Sequence, residues 1–199
     1  MTSLFSEETN FHLPDSDIIY VPNFFSKNEA SNYFKVLRKT IHWQHDKIKV
    51  FGKTYDQPRL TALYANNTKP YSYSNITMQP NIFTENLVAI KDKVEKKVKV
   101  EFTSCLLNLY RNGKDSNGWH ADNEKELGIN PIIASVTFGQ ERFFHLKHRT
   151  NKDLKLKILL EHGSLLIMKG ATQHNWLHQI PKTAKPIQER INLTFRVIQ

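Results

Sequence analysis

His120 and Asp122 stand two residues apart, directly after the polar, glycine-bearing run Arg111-Asn-Gly-Lys-Asp-Ser-Asn-Gly-Trp119. In an extended segment residues i and i+2 point to the same side, so an imidazole nitrogen and a carboxylate oxygen from this pair can converge on one ion. Alone, in a chain with nine histidines, the pair reads as readily as a surface turn. Two histidines and one carboxylate on one face of an iron ion, however, leave positions open for an organic co-substrate and for dioxygen. A third ligand is therefore the next thing to seek. The stretch Gln173-His174-Asn175-Trp176-Leu177-His178-Gln179-Ile180-Pro181 offers two candidates. His174 and His178 have the same strand parity, and periodicity does not choose between them.

The last strand supplies a second chemistry. Arg190, Asn192, Thr194 and Arg196 alternate with Ile191, Leu193, Phe195 and Val197, so one face is polar and the other apolar. A solvated polar face is the ordinary reading; a pocket wall is the functional one. Arg190 and Arg196 are six residues apart, roughly 20 Å along an extended strand, so they should attend different ends of an anion. A dicarboxylate suits such a pair, because the guanidinium fork matches carboxylate geometry.

The elements that must position these residues fall into two halves. Residues 1 to 16 are polar and are expected to fray. Ile18 to Val21 is β-prone and ends at Pro22. Ser26 with Glu29 forms a capping box, and Ala30, Tyr33, Phe34, Leu37 and Ile41 recur at helical spacing. A second helix is predicted from an N-cap at Thr84 to about Lys99, with Leu87, Ile90, Val94 and Val98 inward and its lysines on a solvated face. Between the helices, residues 48 to 76 interleave aromatic and basic residues in strand-like runs, which suits nucleic acid as well as an ordinary core. From residue 104 the pattern changes to short β runs separated by turns, with no convincing helix: 104–110, 132–138, 142–147, 154–160, 164–168 and 190–198. The fold class expected is α+β, mainly β, with the second half a barrel or jelly roll.

Composition sets the outer limits. There is no apolar run long enough to span a bilayer and no secretory leader pattern, and the single cysteine, Cys105, sits in an apolar run. An intracellular protein with Cys105 as packing is expected, without a membrane partner. The formal charge of +9 favours an anionic partner. The surplus lies in residues 51–100 (eight Lys and Arg against four Asp and Glu) and 151–199 (eight against three), while 101–150 is balanced.

Four blocks in order, Asn108-Leu-Tyr110, His120-x-Asp122, Trp176-x-His178-x-x-Pro181 and Arg190-x-Asn192-x-Thr194-x-Arg196, resemble the AlkB-type iron(II)- and 2-oxoglutarate-dependent nucleic-acid demethylases. Phe51-Gly52-Lys53, Pro58-Arg59, Tyr64 and Tyr71 are similar to the substrate-recognition region of the branch that repairs double-stranded DNA. The resemblance covers about residues 18 to 198. It implies a double-stranded β-helix (jelly roll) with N-terminal helices and a nucleotide-recognition hairpin region. Residues 1–199 would be one dioxygenase domain, with 17–100 carrying the helices and recognition region and 101–199 the catalytic core.

The resemblance also implies roles. His120, Asp122 and His178 would bind Fe(II), leaving His174 aside. Arg190, with Tyr110 and Asn192, would take the distal carboxylate of 2-oxoglutarate, and Asn108, Thr194 and Arg196 would attend its metal-proximal end. With dioxygen, 2-oxoglutarate would be cleaved to succinate and carbon dioxide while an N-methyl carbon is hydroxylated. The hemiaminal would then release formaldehyde and the normal base. The implied partner is alkylated DNA, or RNA, carrying 1-methyladenine or 3-methylcytosine, flipped out of its stack. Phe51 would fill the vacated stack, Tyr71 would pack on the flipped base and Glu124 would accept from its exocyclic amine. Gly52, Lys53, Arg59 and Asn123 complete the implied substrate contacts, Asn123 being a departure where the pattern admits an acid. A monomer is expected, nuclear in a eukaryote and cytoplasmic in a bacterium. The rival readings are an RNA or small-molecule oxygenase of the same fold, a non-catalytic nucleic-acid-binding module, and a zinc hydrolase, which gives the arginine-lined strand no role.

Overall fold

The computed structural model describes residues 8–50, 53–67, 71–73 and 76–199. In chain order the elements are β1 (Thr9–Phe11), β2 (Asp17–Val21), α1 (Lys27–Thr40), β3 (Lys47–Val50), β4 (Lys53–Asp56), β5 (Leu60–Ala65), β6 (Tyr71–Tyr73), β7 (Ile76–Met78), β8 (Asn81–Ile82), α2 (Glu85–Val98), β9 (Ser104–Tyr110), β10 (Asn117–His120), β11 (Ile133–Gly139), β12 (Arg142–His148), β13 (Lys155–Leu160), β14 (Leu165–Lys169), α3 (Thr172–Asn175), β15 (Trp176–Ile180) and β16 (Arg190–Arg196).

The strands from β9 onward are divided between two sheets, alternating except for the hairpin β12-β13, which stays in the small one. β9, β11, β14 and β16 lie in a large sheet ordered β1-β2-β14-β11-β16-β9-β5-β8, and β10, β15, β12 and β13 form a small one in that order. This is the double-stranded β-helix, mainly β with helices added. Strands from the first half of the chain extend the large sheet at both edges. β1 and β2 add on beyond β14, and β5 and β8 add on beyond β9. Two separate hairpins, β3-β4 and β6-β7, stand outside both sheets.

Strand alternation divides the molecule into layers. On β9, Cys105, Leu107 and Leu109 join Ala134, Val136, Phe138, Ile191, Leu193 and Phe195 in a core beneath the helices, packed on Leu37, Leu87, Ile90 and Val94. The opposite positions face the small sheet, where Tyr110, Ile133, Leu166 and Met168 meet Phe144, Leu146, Ile158 and Ile180. Cys105 is fully buried in the first of these cores, and burial pushes its thiol well above the ordinary range, so it packs rather than reacts.

Both helices begin where their capping residues stand. The Ser26 hydroxyl accepts from the Glu29 amide while the Glu29 carboxylate accepts from the Ser26 amide, and the Thr84 hydroxyl accepts from Leu87 N. Lys99 closes α2 in the left-handed region at φ 62°. The α2 lysines do form a solvated, paired face, Lys91 to Glu95, Lys93 to Glu29 and Lys97 to Glu8. Ser26→Ala is expected to cost about 1 kcal/mol, read from chemical denaturation. Hydrogen bonds from Ser26, with Lys93 beside it, bring the Glu29 carboxyl down to about 2. A carboxyl depressed on folding contributes in full above its unfolded value and loses that contribution as pH falls through the folded one. The gap in melting temperature between wild type and Glu29→Gln should therefore be constant above pH ~5 and shrink toward pH 2.

Two expectations are corrected. Residues 9–11 are not frayed: they pair with residues 18–20, because an uncovered β2 edge would leave its backbone groups without partners and Phe11 packs on the inter-sheet core. The second half also contains helix, the single turn α3 and a 3₁₀ turn at Lys125–Leu127. Both are too short for an apolar stripe to announce them.

Candidate metal and co-substrate site

The space between the two sheets is lined from the large sheet by the inward polar face of β16, with Asn108 and Tyr110 of β9 and Ser135 of β11. The small sheet contributes His120 and His178. Of the two readings of the polar face of β16, the pocket wall holds and the solvated face does not, since all seven of its residues are buried.

His120 ends β10 and His178 lies in the middle of β15, and the two are paired across the antiparallel ladder. Their rings sit 4.2 Å apart between centroids. His178 also stacks on Phe144 at 5.1 Å. His174 is elsewhere: α3 intervenes, so the parity that tied it to His178 does not apply. It is exposed, and its Nε2 accepts from the Asn130 amide. Asp122 lies two residues beyond the end of β10, 2% exposed. One ligand atom from each of His120, Asp122 and His178 lies within 4.8 Å of the others, a group able to hold a metal ion.

The electrostatics match that use. The His120 Nδ1–H donates to the Gly118 carbonyl at 2.8 Å, which makes Nε2 the acceptor nitrogen; Asn117 Nδ2 donates to it at 3.2 Å, in the place a metal would take. Burial lowers the His178 imidazole to about 3 and also lowers that of His120, so both rings are neutral at physiological pH. Burial alone would raise Asp122, but the Arg196 guanidinium beside it holds it below the ordinary carboxylate range. Two neutral imidazoles and one carboxylate are the protonation states a divalent metal requires. Arg196 Nη2 donates to Asp122 Oδ1 at 2.8 Å, both side chains being buried. This places Arg196 on the carboxylate rather than at a free end of the pocket.

Arg190 occupies the other end of β16, 1% exposed. Its Nη2 donates to Thr137 Oγ1 at 2.8 Å, its Nε and Nη1 have no hydrogen-bond partner among the described residues, and the Tyr110 ring lies 5.2 Å from its guanidinium carbon. Burial brings this arginine down to about 10, still a cation at neutral pH. A buried cation with open donors is costly unless something anionic completes it, which is what a carboxylate of 2-oxoglutarate would do. Between the two arginines, Thr194 Oγ1 donates to Asn192 Oδ1 at 3.1 Å and Asn192 Nδ2 donates to Ser135 Oγ at 2.8 Å. Asn108 Nδ2 reaches Asn192 Oδ1 at 3.4 Å.

The residues proposed for substrate are more dispersed. Arg59 is buried, with Nε donating to Asn108 Oδ1 at 2.7 Å and Nη1 to the Ser116 carbonyl, so it buttresses the pocket wall. Glu124 is half-buried with Oε2 unpartnered among the described residues, and burial and Asp122 raise its carboxyl. Asn123 is exposed beside it, and Lys53 is exposed on β4. Phe51 and Gly52 lie outside the described residues, and of Tyr71 only the backbone, in β6, is described.

Three side chains of the site had not been singled out. Ser135 and Thr137 are inward positions of β11 that hold Asn192 and Arg190. Gln173, fully buried in α3, accepts from the Asp122 amide at 2.9 Å and fixes the segment carrying that ligand. Gln173→Ala is expected to weaken Mn(II) binding by roughly 10- to 100-fold, as loss of an outer support does, measured by calorimetry on the metal-free protein.

A jelly roll holding a His-Asp-His group at one end of a polar strand and a buried, unsatisfied arginine at the other defines the class to which the comparisons also point. Residues 17–196 match the 2OG-Fe(II) oxygenase superfamily. The chain is 41% identical over 192 residues to the human alpha-ketoglutarate-dependent dioxygenase alkB homolog 3, covering 92% of this chain and 66% of that relative. It is 34% identical to the human DNA oxidative demethylase ALKBH2, covering 87% of this chain and 70% of the relative, and 33% identical to the mouse protein of that name, covering 77% of it. In fold it is similar to the structure of OsALKBH1, with a TM-score of 0.66, 16% identity, and coverage of 95% of this chain and all of that one. The chain belongs to the AlkB-type family of the 2OG-Fe(II) oxygenases. It spans 66% of the length of the alkB homolog 3 relative. Among the described residues no helix is long and apolar enough to cross a membrane.

Proposed function

We propose that this protein is an Fe(II)- and 2-oxoglutarate-dependent dioxygenase that removes methyl groups from N-alkylated bases, 1-methyladenine and 3-methylcytosine, in DNA. The observation that carries this reading is the presence, in one buried pocket between the two sheets, of a three-donor metal group and the cation of Arg190 with two donors unpartnered among the described residues. The relatives named as DNA oxidative demethylases support the choice of substrate.

Iron(II) with 2-oxoglutarate supplies the oxidation of a C–H bond by dioxygen. The chain's own residues do the positioning. His120, Asp122 and His178 would hold the metal from one side and leave the other side to co-substrate and oxygen. Arg196, bound to the second oxygen of Asp122, keeps that carboxylate from rotating away. Arg190 would take the distal carboxylate of 2-oxoglutarate, beside Tyr110 and Asn192, while Asn108 and Thr194 line the path between. The walls formed by Phe144, Ile133 and Met168 keep bulk water off that path, which strengthens the charged contacts inside. Glu124, with its carboxyl raised and one oxygen unpartnered, would meet the exocyclic amine of a flipped base. Lys53 and the hairpin β3-β4 would face the backbone of the substrate strand, and Phe51, at the tip of that run in the sequence, would occupy the gap left in a duplex.

The test is mass spectrometry of an oligonucleotide carrying one 1-methyladenine, single- and double-stranded, incubated with Fe(II), ascorbate and 2-oxoglutarate. Loss of the methyl group that depends on 2-oxoglutarate is the expected result. Phe51→Ala should reduce repair of the duplex far more than of the single strand. Equal losses would remove the duplex from the proposal, and succinate formed without demethylation would replace the substrate.

A further inference from the structure

The outward face of the small sheet is not explained by the site. Strand alternation puts Phe144, Leu146, Ile158 and Leu160 inward, which leaves Phe143, His145 and Lys147 of β12 and Lys155 and Lys157 of β13 on the other side. Trp119 of β10 joins them. Phe143 is 43% and Trp119 39% exposed, large rings that a solvated strand does not require. Each carries a lysine: Lys147 Nζ lies 4.3 Å from the Trp119 centroid and Lys157 Nζ 3.8 Å from that of Phe143. Among the described residues the outward positions of these four strands, Leu159, Leu177 and Gln179 included, carry three lysines and no carboxylate. No salt bridge among the described residues engages Lys147, Lys155 or Lys157. Two of the three lysines, Lys155 and Lys157, come from the basic last quarter of the chain, and Lys147 from the balanced stretch before it.

A flat sheet bearing exposed rings with cations interleaved is suited to one ligand chemistry. Bases stack on aromatic rings whatever their identity, and phosphates take the ammonium groups beside them. Trp119 and Phe143 sit on strands separated by β15, and the register places Trp119 near His145, two residues along β12 from Phe143, so the rings stand roughly 12 Å apart, a span that nucleotides two apart on one strand can bridge. A duplex cannot use the rings, because its bases are already stacked. The contact each lysine now makes with its ring is solvent-exposed and weak, so exchanging it for a phosphate is easy. Burial and Lys157 lower the His145 imidazole, which adds a third neutral ring to the row.

We infer that the outer face of β10, β15, β12 and β13 is a binding surface for single-stranded nucleic acid, built around Trp119, Phe143, Lys147 and Lys157. Charge complementarity favours a polyanion, and the rings favour a polyanion with unstacked bases over an acidic peptide. Because β10 is the edge strand of the small sheet and ends in His120, a strand leaving the site could turn over that edge onto this face. The inference goes beyond the proposed reaction and does not depend on it, since it concerns unmodified strands and needs neither iron nor turnover.

The experiment is fluorescence anisotropy of a short, unmethylated oligothymidylate with the whole protein, without metal or 2-oxoglutarate. Phe143→Leu, which keeps an apolar strand residue but removes the ring, should weaken binding roughly tenfold, and Phe143→Tyr should bind as wild type. Lys157→Gln should flatten the dependence of log affinity on log salt by about 0.7, one phosphate contact. Unchanged melting temperatures guard against a folding artefact at these exposed positions. The inference is overturned if Phe143→Leu and Lys157→Gln both bind as wild type. It is equally overturned if polyglutamate competes as well as oligothymidylate does, which would make the face a site for acidic protein.

Discussion

Asp122→Ala is expected to abolish turnover and to reduce divalent-metal affinity by more than about 100-fold, beyond the loss that follows removal of a merely supporting group. The variant should also be unstable. Arg196 is 4% exposed and donates to the Asp122 carboxylate; deleting one member of a buried ion pair costs about 3–5 kcal/mol, because the other charge is left without compensation. The double variant Asp122→Ala/Arg196→Met should therefore recover much of the lost stability while recovering no metal binding. Denaturant melts and calorimetric Mn(II) titrations of the three proteins separate the two effects. If the single variant folds as stably as wild type, Arg196 is not held by Asp122 in the way described.

Arg190→Met should act with the opposite sign on stability. The wild-type side chain is a buried cation whose Nε and Nη1 have no hydrogen-bond partner among the described residues, with Nη2 donating to Thr137. Replacing such a group by an apolar side chain of similar length is neutral or stabilising. Function should suffer, since losing the partner of a buried carboxylate costs about 2–5 kcal/mol, at least roughly 30-fold in the KM for 2-oxoglutarate. Added 2-oxoglutarate should raise the melting temperature of wild type and leave the variant unmoved, as expected when a ligand binds only one of them. A variant both less stable and unaltered in KM would mean that Arg190 serves the fold and not the co-substrate. Because burial brings the Arg190 guanidinium down to about 10, its charge is complete at lower pH and is lost as pH rises through that value, so co-substrate binding should weaken there.

How much of this was legible without coordinates depended on whether the cause was local. β9 begins and ends at the residues its alternation predicts, Ser104 and Tyr110, and the polar face of β16 is the wall that its parity allows. Helix starts at Ser26 and Thr84 were visible because capping is a contact between residues three apart. His120 and Asp122 were visible for the same reason. Parity left the third ligand open, because α3 shifts the phase between His174 and His178 and a single helical turn leaves no period to read; the resemblance chose His178, which joins the group. Gln173 left no signal at all: it meets Asp122 across 51 residues of sequence, and nothing near it distinguishes a buried amide from a surface one. Ser135 and Thr137 could have been suspected, since two hydroxyls at one parity inside an otherwise apolar strand imply a polar surface for them to face. The resemblance implied a substrate contact for Arg59, and in the fold its guanidinium donates to Asn108 and the Ser116 carbonyl. The aromatic and basic run 48–76 gave its hairpins, β3-β4 and β6-β7, while the outward rings of the small sheet escaped notice because they are scattered over two strands, β10 and β12, far apart in the chain.

The most direct measurement is to count succinate and formaldehyde together when the purified protein acts on a 1-methyladenine oligonucleotide with Fe(II), dioxygen and 2-oxoglutarate, beside Asp122→Ala. The account requires the two products in equal amounts from wild type and neither from the variant. Formaldehyde released without 2-oxoglutarate, or products still formed by Asp122→Ala, would contradict it.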